Sequence, residues 1–327
     1  MSAFQRRLSA TALIAATLAL TACAGPGAGA SAERSAPSTV SIDNCGFPLV
    51  VAAAPKRVVT IKSTSTEMLL ALGLQDRIVG TAFADGPVPR QWAKAAAGLP
   101  ALSDGVPSEE ALLALHPDFV YAGWESNVSA QGAGDRTSLQ SLGVASYVSP
   151  AACKEPAFEP KRLRFADIYR EIRQVGRIFD VDTSKLIAEQ EREVASVRPL
   201  AEKVTALWYS SGTDAPYVGA DTGAPALIMR TVGLTNVAAD IKDTWATMSW
   251  EAVAASDPDV IVLIDASWNT AEQKIRALQD NPATSGLRAV RDQRFVVVPF
   301  AASQAGVRTA PETIELSDAL AALGYAR

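Results

Sequence analysis

The feature that most constrains this chain is a unit it contains twice. Residues 110–123 read EALLALHPDFVYAG and residues 251–264 read EAVAASDPDVIVLI. Each is an amphipathic run, a Pro-Asp break and an apolar stretch, with the glutamate seven residues before the proline and five identities in fourteen positions. Such a run spells helix, turn, strand. The flanking order is also repeated. Before the first copy lie a buried-strand pattern, RVVTI, then STSTEMLLALGL, where Thr64 and Glu67 fit a capping box and Gly73 a helix stop, then the strand RIVGTA. After it, VASYVS reads as a further strand. In the second half VTALWYSS, DVIVLID and RFVVVPF are strands, and PALIMRTVGLTNV echoes TEMLLALGLQDRIV. Short strands alternating with helices mean parallel sheets with right-handed crossovers. The expected fold is therefore α/β, with two Rossmann-like lobes, each on a parallel sheet.

Between the lobes, DTSKLIAEQEREVASVRPLAEK has no glycine and an apolar stripe at Leu186, Ile187, Val194 and Val197. It predicts one long bridging helix over 183–204, about 30 Å at 1.5 Å per residue. The lobes are then 41–182 and 205–327. A stiff connector permits modest rocking and opposes wide closure.

At the N-terminus, Arg6 and Arg7 precede LSATALIAATLAL, too short an apolar run to span a bilayer comfortably but suited to a secretory signal. It closes on Leu20-Thr21-Ala22-Cys23, which resembles the lipobox of bacterial lipoproteins. That resemblance implies removal of 1–22, acylation of Cys23 and a membrane anchor, placing the protein on the outer face of the cytoplasmic membrane. Residues 23–40 read as the acylated cysteine and a small, polar linker. Loss of Arg6 and Arg7 takes the net charge from −5 to −7 (−5 − 2), which disfavours nucleic acid. Cys45 and Cys153 remain, outside the cytosol. A disulfide between them is expected, with two buried free thiols as the alternative.

A lipoprotein signal, two lobes and one bridging helix together resemble the siderophore- and cobalamin-type substrate-binding proteins of ABC importers. The tokens are PKRVVTIKSTSTEMLLALGLQDRIVG and the two Glu-(x)6-Pro-Asp units. The resemblance implies a monomer that delivers a small molecule to an ABC permease and its ATPase, with Glu110 and Glu251 on the lobe tips as permease contacts. VYAGWESN, YVSPAACKEP and ALWYSSGTDAPYVGA look like a subgroup proposed to import the precursor of the deazaflavin coenzyme F-420. Ferric-siderophore or cobalamin binding is the alternative, although Asp104 stands where cobalamin binders pair a second aromatic with Trp245.

Ligands of open α/β sheets bind beyond the carboxyl ends of the strands. In the first lobe those positions are Lys62, Ser63 and Thr64, then Trp124, Glu125 and Asn127, then Lys154. In the second they are Ser210, Ser211 and Tyr217, then Trp245, then Asp265, Trp268 and Asn269, then Arg308. Lys62 before a hydroxyl-rich helix start, with Lys154 and Arg308, predicts an anion site. The tryptophans offer flat faces for a ring system. Trp250 reads as packing, and Trp92 and Trp208 as core or surface. The single histidine, His116, reads as a helix end, and one histidine argues against a metal site. No nucleophile-elbow, zincin or P-loop motif is present, no cofactor is expected, and Glu125 or Asp265 would have to supply any acid–base chemistry. A tethered adhesin or sensor that binds a protein is the remaining alternative to a transport role.

Overall fold

The computed structural model describes residues 39–159 and 161–327. The expected signal segment, Cys23 and most of the linker lie outside them. Among the described residues no helix is long and apolar enough to cross a membrane.

An antiparallel hairpin, β1 (Val40–Asn44) and β2 (Phe47–Val51), precedes the first lobe and begins inside the expected linker. The lobe itself runs β3 (Val58–Ile61), α1 (Ser63–Ala71), β4 (Ile78–Ala82), α2 (Arg90–Ala96), β5 (Ala101–Ser103), α3 (Glu109–Leu113), β6 (Phe119–Ala122), α4 (Arg136–Ser141) and β7 (Ala145–Val148). Its sheet is parallel throughout, in the order β5-β4-β3-β6-β7. β3 and β6 are buried at every position, which is why their sequences are continuous apolar runs rather than alternating ones.

Two helices follow, α5 (Phe165–Phe179) and α6 (Ser184–Ser196). The second lobe runs β8 (Val204–Ser211), β9 (Tyr217–Gly219), α7 (Ala224–Val232), β10 (Leu234–Asn236), β11 (Trp245–Thr247), α8 (Trp250–Ser256), β12 (Val260–Asp265), α9 (Ala271–Asp280), α10 (Arg288–Arg291), β13 (Phe295–Pro299) and α11 (Thr309–Ala322). Strands β10-β8-β12-β13 are parallel and stand in the same order as β4-β3-β6-β7. The repeat seen in sequence is thus a repeat of architecture. The second sheet departs from it in one respect: β9 and β11 are antiparallel additions at its edge.

The Pro-Asp breaks have a structural cause. Asp118 accepts hydrogen bonds from the amides of Lys56 (2.8 Å) and Arg57 (2.9 Å), at the start of β3. Asp259 accepts from the amide and hydroxyl of Thr205, both at 2.8 Å, at the start of β8. Each aspartate therefore sets the register of a central strand pair. His116 and Asp257, just before the two prolines, both take a left-handed backbone (φ 47° and 35°) that ends the helix.

The connector differs from the expected single helix. α6 has 13 residues, about 20 Å at 1.5 Å per residue, and stops before Arg198-Pro199, because a proline disfavours helix in the residue preceding it. The other part of the crossover is α5, whose Ile168, Ile172, Val175 and Phe179 stripe is buried on the first lobe. Gly176 lets the chain fold back there, since a Cβ would lie 2.3 Å from Thr183 Cγ2. α6 packs along α11, and Gln190 donates to the Val307 carbonyl at 2.8 Å. The first lobe's core also takes in Ala224 and Leu227 of α7 and Val307. The lobes are therefore bonded through shared core as well as through the connector.

Cys45, at the hairpin turn, is disulfide-bonded to Cys153, with Cα atoms 5.3 Å apart. Trp208 is fully buried, and Trp250 packs edge-on against Tyr209 and donates to the Thr213 carbonyl at 2.7 Å.

The candidate ligand cleft

The carboxyl ends of β6 and β8, with β9, β11 and the turn after β13, enclose a cavity of about 390 Å3. Trp124, Ser126 and Lys154 line it from the first lobe, and Ser210, Tyr217, Trp245, Phe300 and Gln304 from the second. A narrower inner recess of about 40 Å3 continues past Trp124 to Thr64, Gly123, Ser149, Thr222 and Ser303. Gly123 is required by close approach: a Cβ would sit 2.7 Å from both Lys62 Cβ and Thr64 Oγ1.

The walls are aromatic. Tyr217 and Trp245 are directly opposed to Thr247 and Gly219 across the antiparallel β9–β11 pair, and their rings stack, 6.0 Å apart and 18° from parallel. Burial and nearby Asp243 raise the Tyr217 pKa, so its hydroxyl stays neutral. Trp124 donates its indole N–H to Gln304 Oε1 at 3.2 Å, tying the lobes at the cleft floor. Trp268 is 57% exposed and meets Phe300 edge-on at 5.7 Å, which places it on the rim.

Several expected ligand contacts are instead spent inside the protein. Lys62 is 1% exposed, ion-paired with Asp85, and its ammonium lies 3.8 and 3.9 Å from the Phe83 and Trp124 ring centres. Desolvation lowers its pKa and the Asp85 carboxylate opposes that. Asp85 also accepts from the Ser63 amide (3.2 Å), and the Ser63 hydroxyl accepts from the Asp85 amide (2.8 Å). The anion site expected at the start of α1 is thus filled by the protein's own carboxylate. Arg308 is likewise consumed: its Nε and Nη2 grip both oxygens of Glu67 at 2.6 and 2.5 Å. Glu67, read from sequence as part of a capping box, is 1% exposed and belongs to this inter-lobe pair, while α1 has no side-chain cap.

Asn127 is buried and accepts from the Trp124 amide at 3.0 Å, fixing the turn rather than facing the cleft. Glu125 accepts from the Lys154 amide at 2.5 Å. Asp265 is exposed and accepts from the Ala271 amide at the start of α9 (2.9 Å), while the Asn269 carbonyl accepts from buried Lys274 at 2.6 Å. Ser211 ends β8 opposite Tyr217 and does not line the cavity. Of the nominated residues, the structure brings together Trp124, Lys154, Ser210, Tyr217 and Trp245, with Thr64 in the recess. Sequence reading missed Phe83, Asp85, Phe300 and Gln304. Phe300 stands immediately beyond β13, so the strand-end rule pointed to it; Asp85 is set by tertiary pairing alone.

Glu110 and Glu251 are exposed. Each is the second residue of its helix, α3 or α8, behind a serine N-cap: Ser108 accepts from the Ala111 amide and Ser249 from the Ala252 amide. His116 is exposed at the end of α3, and among the described residues no three His, Cys, Asp or Glu side chains are grouped to hold a metal.

A family model described as periplasmic binding protein matches residues 58–302, which span both sheets and the cleft. The chain belongs to the periplasmic binding protein family. It is 24% identical over 323 residues to the ABC transporter substrate-binding lipoprotein YvrC of Bacillus subtilis (strain 168), covering 94% of this chain and 95% of that one. A periplasmic binding protein from Veillonella parvula is 25% identical, with a TM-score of 0.76 over 86% of this chain and 97% of its own. An ABC-type Fe3+-hydroxamate transport system protein from Saccharomonospora viridis has the same fold, at 23% identity and a TM-score of 0.72, covering 86% and 98%. The family is one of binding proteins, which accords with the absence of a catalytic motif in the sequence.

Proposed function

We propose that this protein is the extracytoplasmic substrate-binding lipoprotein of an ABC importer, and that its cleft takes a flat, conjugated small molecule. The observation that carries the ligand class is the stacked Tyr217–Trp245 pair, lining one cavity with Trp124 and Phe300. At about 390 Å3 that cavity lies within the roughly 300–1,000 Å3 range of small-molecule sites. The full-length similarity to an ABC lipoprotein supports export, removal of residues 1–22, acylation of Cys23 and anchoring to the outer face of the cytoplasmic membrane. The matched, exposed positions of Glu110 and Glu251 support their docking to cationic residues of a permease.

The deazaflavin precursor named by the sequence resemblance remains the first candidate, for its planar ring. The demand for an anion is weaker than the sequence implied. Lys62 and Arg308 are ion-paired, leaving Lys154 as the cation on a cavity wall that also carries Glu159 and Asp243. A ferric hydroxamate is the second reading, favoured by the Saccharomonospora fold relative.

The test is tryptophan-fluorescence titration of residues 24–327 with the deazaflavin precursor, a ferric hydroxamate and cobalamin. Saturable binding of the planar ligand is expected, weakened about 10- to 100-fold in Trp245→Ala and in Tyr217→Ala, since each removes a stacking face and its buried area. Saturation by the ferric chelate alone would replace the ligand and keep the transport role. Silence from all three would sink the proposed ligand class.

A further inference from the structure

A second cavity lies outside the cleft, in the first lobe. It is a concavity of about 490 Å3, open to solvent on one side and bordered by the hairpin turn, the Cys45–Cys153 disulfide, residues 150–153 and the start of α5. Ala151 and Leu163 separate it from the inner recess of the cleft, each lining both spaces. Four cations line it: Lys161, Arg162, Arg164 and Arg170.

Its acids are largely committed. Asp167 is held by Arg164 (3.3 Å) and Arg170 (2.6 Å), each of which keeps further N–H groups to donate. Asp43 accepts from the Gly46 amide at 2.8 Å. Glu171, at the floor, accepts from the Tyr121 hydroxyl at 2.7 Å and the Ser149 hydroxyl at 3.2 Å. Burial pushes its pKa up to about 7, so it is only partly charged near neutrality. The remaining cations are under-used. Arg162 reaches Asp221 only at 3.5 Å, and Lys161 makes no ion pair among the described residues. The positive end of the α5 dipole adds to the same field. In a chain of net charge −5, a surplus of solvent-exposed positive charge gathered around one concavity is a feature that packing does not require.

We propose that this cavity is a second binding site, separate from the cleft, for a small oxyanion: a phosphate- or carboxylate-bearing molecule held by Lys161, Arg162 and Arg170. Guanidinium and ammonium groups around a concave space suit such ligands through charge-assisted, bidentate hydrogen bonds. The site goes beyond the transport reading and does not depend on which cargo the cleft carries.

The test is calorimetric titration of residues 24–327 at low ionic strength with inorganic pyrophosphate and, separately, with citrate; the two arms distinguish phosphate from carboxylate. Wild type should bind at least one of them saturably. Lys161→Glu/Arg162→Glu should weaken that binding at least about tenfold through loss of two charged contacts, and Arg162→Gln should weaken it in the same direction. Both changes are on the surface, so melting temperatures should match wild type. Trp245→Ala should bind the anion as wild type does, even where it loses the cleft ligand. No saturable heat from either anion at millimolar concentration would overturn the proposal. So would an unchanged affinity in the double variant, or loss of anion binding in Trp245→Ala.

Discussion

Arg308→Met separates the two roles that sequence and structure give this residue. The Arg308 side chain is 12% exposed and that of Glu67 is 1% exposed, and the guanidinium also donates to the Pro87 carbonyl at 3.1 Å. Burial raises the Glu67 pKa, while the bond and charge of Arg308 lower it. Removing the cation strands a buried carboxylate in the lobe interface, at a cost of about 3–5 kcal/mol. The stranded group escapes by taking a proton. An acid whose native pKa is raised keeps its contribution below the ordinary value of 4.5 and loses it as pH rises through the native value. The defect should therefore be larger at pH 8 than at pH 5. Urea denaturation of residues 24–327, followed by circular dichroism at both pH values, measures it. The double variant Glu67→Leu/Arg308→Met should return to within about 1 kcal/mol of wild type, because a well-packed apolar pair can replace a buried ion pair. A single-variant loss below about 1 kcal/mol at both pH values would refute the reasoning. Native stability combined with weakened ligand binding would return Arg308 to the ligand site.

Glu171→Gln keeps the shape of the buried carboxyl and removes its ionisation. Burial lifts that group from 4.5 to about 7, so the wild-type native state favours the protonated form, with stability full below pH 4.5 and lost as pH rises through 7. Relative to wild type, the variant should gain about 3 kcal/mol between pH 4 and pH 8; a pH-independent difference in urea denaturation would contradict this. Cys45→Ser/Cys153→Ser opens a link of sequence separation 108 and should cost about 4–5 kcal/mol in the chain-entropy model; a thermal melt within the error of wild type would count against it. Glu110→Arg and Glu251→Arg should each depress uptake in cells, and together abolish it, while leaving the ligand dissociation constant unchanged. Normal uptake by the double variant would remove both glutamates from the docking surface.

What could be read in one dimension was whatever is local or periodic. The strands β3, β6, β8 and β12 follow from apolar runs, and the duplicated Glu-(x)6-Pro-Asp unit announced two lobes of one design. The end of α6 was also legible at Pro199, but the charged, glycine-free stretch outweighed it. The α5 stripe of Ile168, Ile172, Val175 and Phe179 is equally periodic, yet the fold expected from sequence places no helix there. The strand-end rule found Trp124, Lys154 and Ser210 because parallel topology fixes where those ends point, whereas Tyr217 and Trp245 begin the antiparallel strands β9 and β11 and reach the cleft through that edge ribbon.

The fate of the charges could not be read that way. Lys62 and Asp85 are 23 residues apart, and Arg308 and Glu67 are 241 apart, so no spacing marks either pair. Whether a cation meets a ligand or a carboxylate of its own chain depends on burial, and burial is a sum over neighbours from both lobes. Local pattern was enough for the main parallel strands, the repeat and most of the aromatic lining, though not for the β1–β2 hairpin or the edge strands β5, β9, β10 and β11. Which polar side chains remain free to bind is a property of the folded packing, because an ionised group taken out of water must find its counter-charge wherever the fold brings one.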